Sequence, residues 1–253
     1  MTLLRKLSAA DLVTLTNALL GFLAITYVVD GRYELAGLLI FVAIIMDGLD
    51  GALARRFGSM HHFGRYLDFF ADSVSFCFAP ATLVYTITYD ISRGPAWVSW
   101  ENALAVVIPT VYVCMGILRL ARFAEAGYRK PYFEGLPSPA AAYLVVTVYI
   151  LLGGGTAFEL GSQFSVLIVM AFAGGLMVTS LRYPKLQRGL VAPSLVGILS
   201  MIVATSLIIV ASDAVSISYS LALFGLSLVA IYILFGPMYA RRDDSPLASE
   251  GMA

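Results

Sequence analysis

The sequence has few charged residues, few cysteines and few histidines. Only 13% of its 253 residues are charged, whereas 60% are hydrophobic. Soluble domains carry about a quarter charged residues, so the composition excludes a soluble enzyme of ordinary type. Cys77 and Cys114 lie singly in apolar segments, where they are typical of small buried hydrophobic residues, and His61 and His62 fall in a loop. No cluster of soft metal ligands is therefore expected.

Long apolar runs make up most of the remaining sequence. Several reach the roughly 20 residues that a helix needs to cross a bilayer, and they predict an all-α polytopic membrane protein. About eight transmembrane helices are expected around a polar cavity that faces the cytoplasm. The predicted spans are residues 11–29, 33–46 with a helical extension to 54, 63–89, 102–120, 139–152, 164–181, 190–211 and 216–239.

The same pattern divides the chain into four predicted regions. Residues 1–10 could form a short interfacial helix, with a frayed basic end as the alternative. Residues 11–190 form a membrane core, residues 191–240 add two C-terminal transmembrane helices, and the polar residues 241–253 form a disordered cytoplasmic tail. Neither an internal repeat nor a second soluble domain is predicted.

Basic residues predict the orientation of the spans, because cytoplasmic loops carry an excess of Lys and Arg. Of the 16 basic residues, 14 fall at the two ends of the chain or in alternate loops. The loops on the other side hold only Arg32 and Arg93. This distribution places both termini and the loop between the second and third spans on the cytoplasmic side of a cell membrane.

Four aspartates lie in that cytoplasmic stretch, at the junction of two apolar segments. Asp47 and Asp50 are three residues apart, and Asp68 and Asp72 are four apart, so each pair shares one helix face. A carboxylate near membrane depth is costly and usually faces a partner or a wet cavity. Four such charges would repel one another. Divalent cations such as Mg²⁺ or Mn²⁺, which prefer oxygen ligands, would remove that repulsion and bind a diphosphate.

Two glycines and an arginine accompany these acids. Gly51 follows Asp50, and Gly64 lies one turn before Asp68. Glycine inside a helix costs about 1 kcal/mol relative to alanine, so both positions suggest the close approach of a ligand. Arg55 could contact phosphate oxygens. The alternative is a helical hairpin in which the acids pair only with neighbouring arginines, namely Arg55, Arg56 and Arg65.

Together these residues fill the pattern D-x2-D-G-x2-A-R-x8-G-x3-D-x3-D without a mismatch. The eight fixed positions are Asp47, Asp50, Gly51, Ala54, Arg55, Gly64, Asp68 and Asp72. The pattern resembles the signature of the CDP-alcohol phosphotransferases, integral membrane enzymes of phospholipid synthesis. The resemblance implies the metal-dependent transfer of a phosphatidyl-type group from a CDP-linked lipid to a hydroxyl, with release of CMP.

The resemblance also implies roles for individual residues. Asp47, Asp50, Asp68 and Asp72 would hold two Mg²⁺ or Mn²⁺ ions, and Asp72 would also take the proton from the attacking hydroxyl. The CDP moiety would contact Asp50, Gly51, Ala54, Arg55 and Gly64. A homodimer in the lipid bilayer is expected, and no nucleic-acid partner.

Three further stretches resemble the phosphatidylserine synthase branch of that family. They are DFFADSVSFCFAPA at 68–81, RLARFAEAGYRKPYFEGLPSPAAA at 119–142 and LMVTSLRYPKL at 176–186. The sequence departs from the branch at Cys77, where glycine is expected, and at Glu134, where a basic residue is common. The implied acceptor is L-serine, although glycerol 3-phosphate, inositol phosphate or glycerol stay open as alternatives. A cation or lipid transporter is the alternative from another class of protein.

A serine site needs a cation for the carboxylate. The candidates, with the polar residues that follow the fourth aspartate, are Arg119, Arg122, Arg129, Lys130, Arg182, Ser73 and Ser75. For each basic residue the alternative is a contact with lipid head groups, and for the two serines it is helix packing. Because ester-linked and ether-linked lipids present the same diphosphate, the sequence leaves diacylglycerol and archaeol open.

Overall fold

The computed structural model describes residues 8–57, 62–126, 132–152, 160–184, 188–210 and 215–243. Side chains are described for all of these except residues 54–57, 62, 126, 160–162, 188–194, 215–217 and 239–243. Arg129, Lys130, residues 1–7 and residues 244–253 lie outside the described part. The interfacial helix at the N-terminus therefore stays a prediction.

Helices make up almost all of the described chain, which confirms the all-α fold. They are α1 Ala9–Val29, α2 Tyr33–Phe57, α3 His62–Asp72, α4 Ala79–Thr88, α5 Trp100–Ala126, α6 Ser138–Leu151, α7 Leu160–Val178, α8 Arg188–Val210 and α9 Val215–Asp243. Within the described residues, five stretches are long and apolar enough to cross a membrane: Ala9–Val29, Tyr33–Leu53, Phe63–Thr88, Trp100–Glu125 and Ser218–Met238. Shorter apolar helices cover Ser138–Leu151, Gln163–Val178 and Leu195–Val210. The number of eight crossings stays a prediction.

The third predicted span contains a π-helix, Ser73–Phe78, between α3 and α4. The wider turn interrupts the usual backbone ladder, and one freed carbonyl finds a partner on another helix. The Tyr112 hydroxyl of α5 donates to the Phe76 carbonyl oxygen at 3.1 Å. Such π-turns are frequent at functional sites, and this one begins immediately after Asp72.

A two-stranded antiparallel sheet joins two connections that are distant in sequence. Strand β1, Tyr132–Glu134, precedes α6, and strand β2, Arg182–Pro184, follows α7. Phe133 pairs with Tyr183. Segments of three residues are too short to show an alternating pattern, so the sequence did not predict the strands.

Helix α6 lies at the centre of the molecule. Its buried residues point in all directions around the helix and include Ala141, Leu144, Val145, Tyr149 and Ile150. A helix that is apolar all round is typical of one surrounded by other helices. This position explains why the shortest predicted span carries no polar face.

A capping box at the start of the described chain shows why α1 begins at Ala9. The Ser8 hydroxyl accepts from the Asp11 backbone N–H at 3.2 Å, and the Asp11 carboxylate accepts from the Ser8 backbone N–H at 2.7 Å. This capping box starts α1 at Ala9. At the other end α9 continues to Asp243, although the tail was expected to begin at residue 241.

Helix α1 packs closely against the π-helix at Gly21. A Cβ atom at this position would meet the Ser75 hydroxyl and would lie 2.7 Å from the Ser75 Cα. No side chain fits there without a shift of the backbone. The small residue therefore holds α1 against the segment that follows Asp72.

We expect Gly21→Val to lower the thermal unfolding midpoint of the detergent-purified protein, because overpacking costs about 1–3 kcal/mol. Gly175→Val is the matched control, since a Cβ at Gly175 of α7 would meet nothing within 4 Å. Equal midpoints for the two variants would contradict the close packing of α1.

Candidate active site

Three of the four aspartates form one cluster. Asp47 and Asp50 lie on α2 and Asp68 lies on α3, and one carboxylate oxygen from each falls within 4.8 Å of the other two. Asp50 is buried, and the other two are half-buried. The predicted meeting of the two acidic pairs is therefore present in the structure.

The fourth aspartate, Asp72, lies beside this cluster at the end of α3. It is only 7% exposed, and its carboxyl group lies close enough to that of Asp47 for the two to interact electrostatically. Asn17 of α1 donates from its side-chain amide to Asp72 Oδ1 at 3.2 Å. Asp72 is thus held between the metal-binding candidates and α1.

Two polar residues of α1 complete this environment, and the sequence analysis missed them. The Thr14 hydroxyl donates to Asp50 Oδ2 at 2.7 Å, and Asn17 contacts Asp72. The two residues are three positions apart and share a helix face. A buried polar pair within an apolar helix is itself a signal of function, and T-x-x-N at Thr14 could have been recognised in that way.

The Asn17 side chain is fully buried, and its Oδ1 atom has no hydrogen-bond partner among the described residues. The orientation of the amide follows from its neighbour, since a carboxylate can accept only from the amide nitrogen. The remaining carbonyl oxygen is an acceptor beside the acids.

The charges around the site are unbalanced. Asp47 and Asp72 each experience repulsion from the other acids and attraction from the Arg119 guanidinium. Carboxylates that lie this close together repel one another, and a bound cation would relieve the repulsion. The donor set is made of oxygen atoms only, which suits a hard divalent cation. The acidic cluster could hold a metal ion.

Among the candidate cations that the structure describes, Arg119 is buried beside the acids. It is 4% exposed, and its Nη1 donates to the Ser138 hydroxyl at 2.8 Å. Its guanidinium carbon lies 5.5 Å from the ring centre of Phe123 and 5.6 Å from that of Phe133. Its Nε atom is buried and has no hydrogen-bond partner in the described part of the chain.

Two other candidate cations, Arg122 and Arg182, lie at the surface of the described structure. Arg122 is exposed and donates to the Val178 carbonyl oxygen at 3.4 Å. Arg182 is exposed, and its guanidinium lies 4.6 Å from the ring centre of Tyr132. Both positions fit residues at the edge of the molecule better than residues that contact a buried substrate.

The hydroxyls of Ser73 and Ser75 both donate to backbone carbonyls. Ser73 donates to Phe69 at 2.7 Å within its own helix, and Ser75 donates to Asn17 at 2.8 Å. These contacts correspond to the helix-packing alternative. Through the second contact, the π-helix positions the residue that holds Asp72.

The residues expected to contact CDP lie along the same two helices as the acids. Gly51 is half-buried on α2, and Gly64 is half-buried on α3. Ala54 and Arg55 belong to α2, but their side chains lie outside the described ones. Their contacts with CDP stay a prediction.

The sequence model of the CDP-alcohol phosphatidyltransferases matches residues 7–181. The chain belongs to this family. The matched segment includes all four aspartates, Thr14, Asn17 and Arg119. It ends at Leu181, so that β2, α8 and α9 lie outside it.

Several characterised proteins are similar to this chain. The archaetidylserine synthase of Methanothermobacter thermautotrophicus is 35% identical over 179 residues, which cover 70% of each chain. The CDP-diacylglycerol–serine O-phosphatidyltransferase of Methanocaldococcus jannaschii is 32% identical over 95% of this chain and 98% of its own length. The enzyme of the same name from Helicobacter pylori strain 26695 is 31% identical over 70% of this chain and 72% of its own length.

Proposed function

We propose that this protein is a phospholipid-synthesising transferase that moves a phosphatidyl-type group from a CDP-linked lipid to the hydroxyl of L-serine and releases CMP. The observation that carries the proposal is the cluster of Asp47, Asp50 and Asp68 with Asp72 beside it. The names of the similar proteins support serine as the acceptor, because they describe a serine O-phosphatidyltransferase and an archaetidylserine synthase.

In this mechanism Asp47, Asp50 and Asp68 would hold two divalent ions, Mg²⁺ or Mn²⁺, and Asp72 would be a further ligand. The bound cations would neutralise the diphosphate and the charge that develops on the departing CMP. Gly51, Ala54, Arg55 and Gly64 surround the CDP moiety. These assignments follow the eight-position pattern and the all-oxygen donor set.

Asp72 accepts the proton of the serine hydroxyl. As the hydroxyl oxygen forms a bond to the lipid-linked phosphorus, the bond from that phosphorus to the CMP oxygen breaks, and CMP leaves with the electron pair. A carboxylate is a sufficient base when it lies within hydrogen-bond reach of a proton that leaves late. Asn17 is a positioning residue, because its amide N–H fixes the direction in which the Asp72 carboxylate points.

Arg119 binds the serine carboxylate in this scheme. It is buried, it interacts electrostatically with Asp47 and Asp72, and its Nε has no partner in the described residues. A guanidinium that lies beside two aromatic rings is also oriented before the substrate arrives.

The protein would work as a multi-pass enzyme of the cell membrane, with its active site and both termini on the cytoplasmic side. The distribution of basic residues supports this orientation. The family resemblance supports a homodimer. Residues 11–190 would form the catalytic core, followed by two added helices and a short tail from about residue 241.

The direct test is CMP release by the purified protein with a panel of alcohols. Serine, glycerol 3-phosphate, inositol phosphate and glycerol are each supplied with CDP-diacylglycerol or CDP-archaeol, with and without Mn²⁺ or Mg²⁺. We expect turnover only with serine and metal, and the lipid panel identifies the donor. Turnover with another alcohol but not with serine would refute the proposed acceptor.

Arg119→Ala should raise the KM for serine by about tenfold or more, because a hydrogen bond to a charged group contributes about 1.5–3 kcal/mol. The KM for the CDP-lipid should stay nearly unchanged. Arg122→Ala is the matched control, since Arg122 lies one turn later on α5 but is exposed. A larger effect on the CDP-lipid than on serine would contradict the carboxylate assignment.

Asn17→Leu should lower kcat by about tenfold to a hundredfold, because it removes a hydrogen bond to a charged group worth about 1.5–3 kcal/mol. The KM for each substrate should change little, since Asn17 acts on Asp72 and not on substrate binding. Thr16→Ala, on the exposed side of α1, serves as control. A kcat equal to that of the wild type would show that Asp72 needs no such support.

A further inference from the structure

Helix α9 lies outside the segment that matches the family, yet it packs against β2. The Tyr232 hydroxyl donates to the Pro184 carbonyl oxygen at 3.3 Å. The rings of Tyr183 and Tyr232 are 5.6 Å apart between centres. The Tyr183 side chain is fully buried. A C-terminal helix thus covers a strand that belongs to the connection between α7 and α8.

Gly236 brings α9 close to the same strand. A Cβ atom at Gly236 would lie 3.1 Å from Tyr183 Cδ1 and 3.3 Å from Pro184 Cδ. Contacts of this length are tighter than ordinary van der Waals contact, so a larger side chain would displace β2 or α9. One turn before it, Tyr232 holds the strand by its hydroxyl. The two residues form a single contact face.

The strand pair leads from this face to Arg119. Phe133 of β1 pairs with Tyr183 of β2, and the Phe133 ring lies 5.6 Å from the Arg119 guanidinium carbon. The Gly135 backbone N–H also donates to the Leu181 carbonyl oxygen at 2.8 Å, which continues the link between the two connections.

A pair of strands with three residues each does not stabilise itself. Even an isolated two-stranded hairpin is marginal in water, and short sheets need packing against a helix. Here α9 supplies that packing on β2. The position of the Phe133 ring, and through it the guanidinium, therefore depends on α9.

We propose that α9 positions Arg119 through the strand pair and so sets the affinity of the enzyme for the carboxylate of its acceptor. The inference rests on the proposed function, because it assigns Arg119 to the acceptor. It gives the C-terminal helices a role in substrate selection. A membrane anchor does not require contacts with β2, whereas α9 contacts this strand through Tyr232 and Gly236.

The test compares three variants of the full-length protein. We expect Gly236→Val to raise the KM for serine by about tenfold and to leave the KM for the CDP-lipid within about twofold. Tyr232→Phe, which removes only the hydroxyl, should shift the same KM in the same direction by less. Leu234→Ala is the control, because Leu234 is 67% exposed on the opposite side of α9.

Phe133→Leu should reproduce the effect of Gly236→Val without a change in α9, which provides a second measurement if the valine variant does not fold. Equal shifts in both KM values, or no shift in the KM for serine, would overturn the inference. If the wild-type protein transfers to another alcohol that carries an anionic group, and not to serine, the assignment of serine as the acceptor is wrong. The same split measured with that acceptor would still support the coupling between α9 and Arg119. A wild type that transfers to no alcohol would overturn both proposals.

Discussion

Asp72→Asn should reduce the release of CMP by about a thousandfold or more, since general base catalysis contributes about 10²–10⁴-fold and this residue is also a proposed metal ligand. The substitution keeps the size and most hydrogen-bonding capacity of the side chain. It removes the group that takes the proton from the serine hydroxyl, and it weakens the attraction for a divalent cation. Turnover of the purified variant under saturating serine and CDP-lipid is the measurement.

Two comparisons make this result specific to Asp72. Asp30→Asn changes an exposed carboxylate at the other end of α1 and should leave turnover unchanged. In metal-free buffer, the thermal midpoint of Asp72→Asn should equal or exceed that of the wild type, because one of four mutually repelling charges is gone. Activity near the wild-type level would remove Asp72 both as base and as ligand.

The acidic cluster could be predicted because its geometry is encoded locally. Spacings of three and four residues place Asp47 with Asp50 and Asp68 with Asp72 on common helix faces wherever those helices lie. The cost of carboxylates near membrane depth then requires the two pairs to face a common partner. The structure brings three of the four within 4.8 Å and places the fourth beside them.

Other parts of the site depend on contacts between distant residues, which spacing does not encode. Thr14 reaches Asp50 across 36 positions, and Asn17 reaches Asp72 across 55. The position of α1 relative to the acids depends on the close packing of Gly21 against Ser75. The sequence shows a glycine there but not the residue that it packs against. The π-helix after Asp72 has no periodic signal of its own.

The candidate cations show the same division between local pattern and packing. Arg119 and Arg122 were equivalent in the sequence, since both are basic and lie three residues apart at the end of the fourth span. Burial separates them: Arg119 is buried beside two phenylalanine rings, and Arg122 is exposed. Phe133 reaches Arg119 only because β1 pairs with β2, and a strand of three residues could not be recognised from its composition.

Removal of divalent metal should abolish CMP release, because without it Asp47, Asp50 and Asp68 repel one another and no cation neutralises the diphosphate. Added Mn²⁺ or Mg²⁺ should restore the activity. The experiment treats the purified protein with a chelator, exchanges it into metal-free buffer and titrates each metal back. Full activity in the chelated protein would show that the acids act without a cation.

Asp68→Asn sharpens this experiment, since it removes one charge from the cluster and keeps the side-chain volume. We expect the metal concentration for half-maximal activity to rise by more than about tenfold. Loss of a residue that only supports a metal ligand already lowers metal affinity or activity by about 10–100-fold, and Asp68 is a proposed ligand itself. Glu125→Gln, which changes an exposed acid on α5, should leave the titration unchanged. If Asp68→Asn lowers kcat at saturating metal but leaves the midpoint of the titration in place, Asp68 contacts the substrate and not the cation.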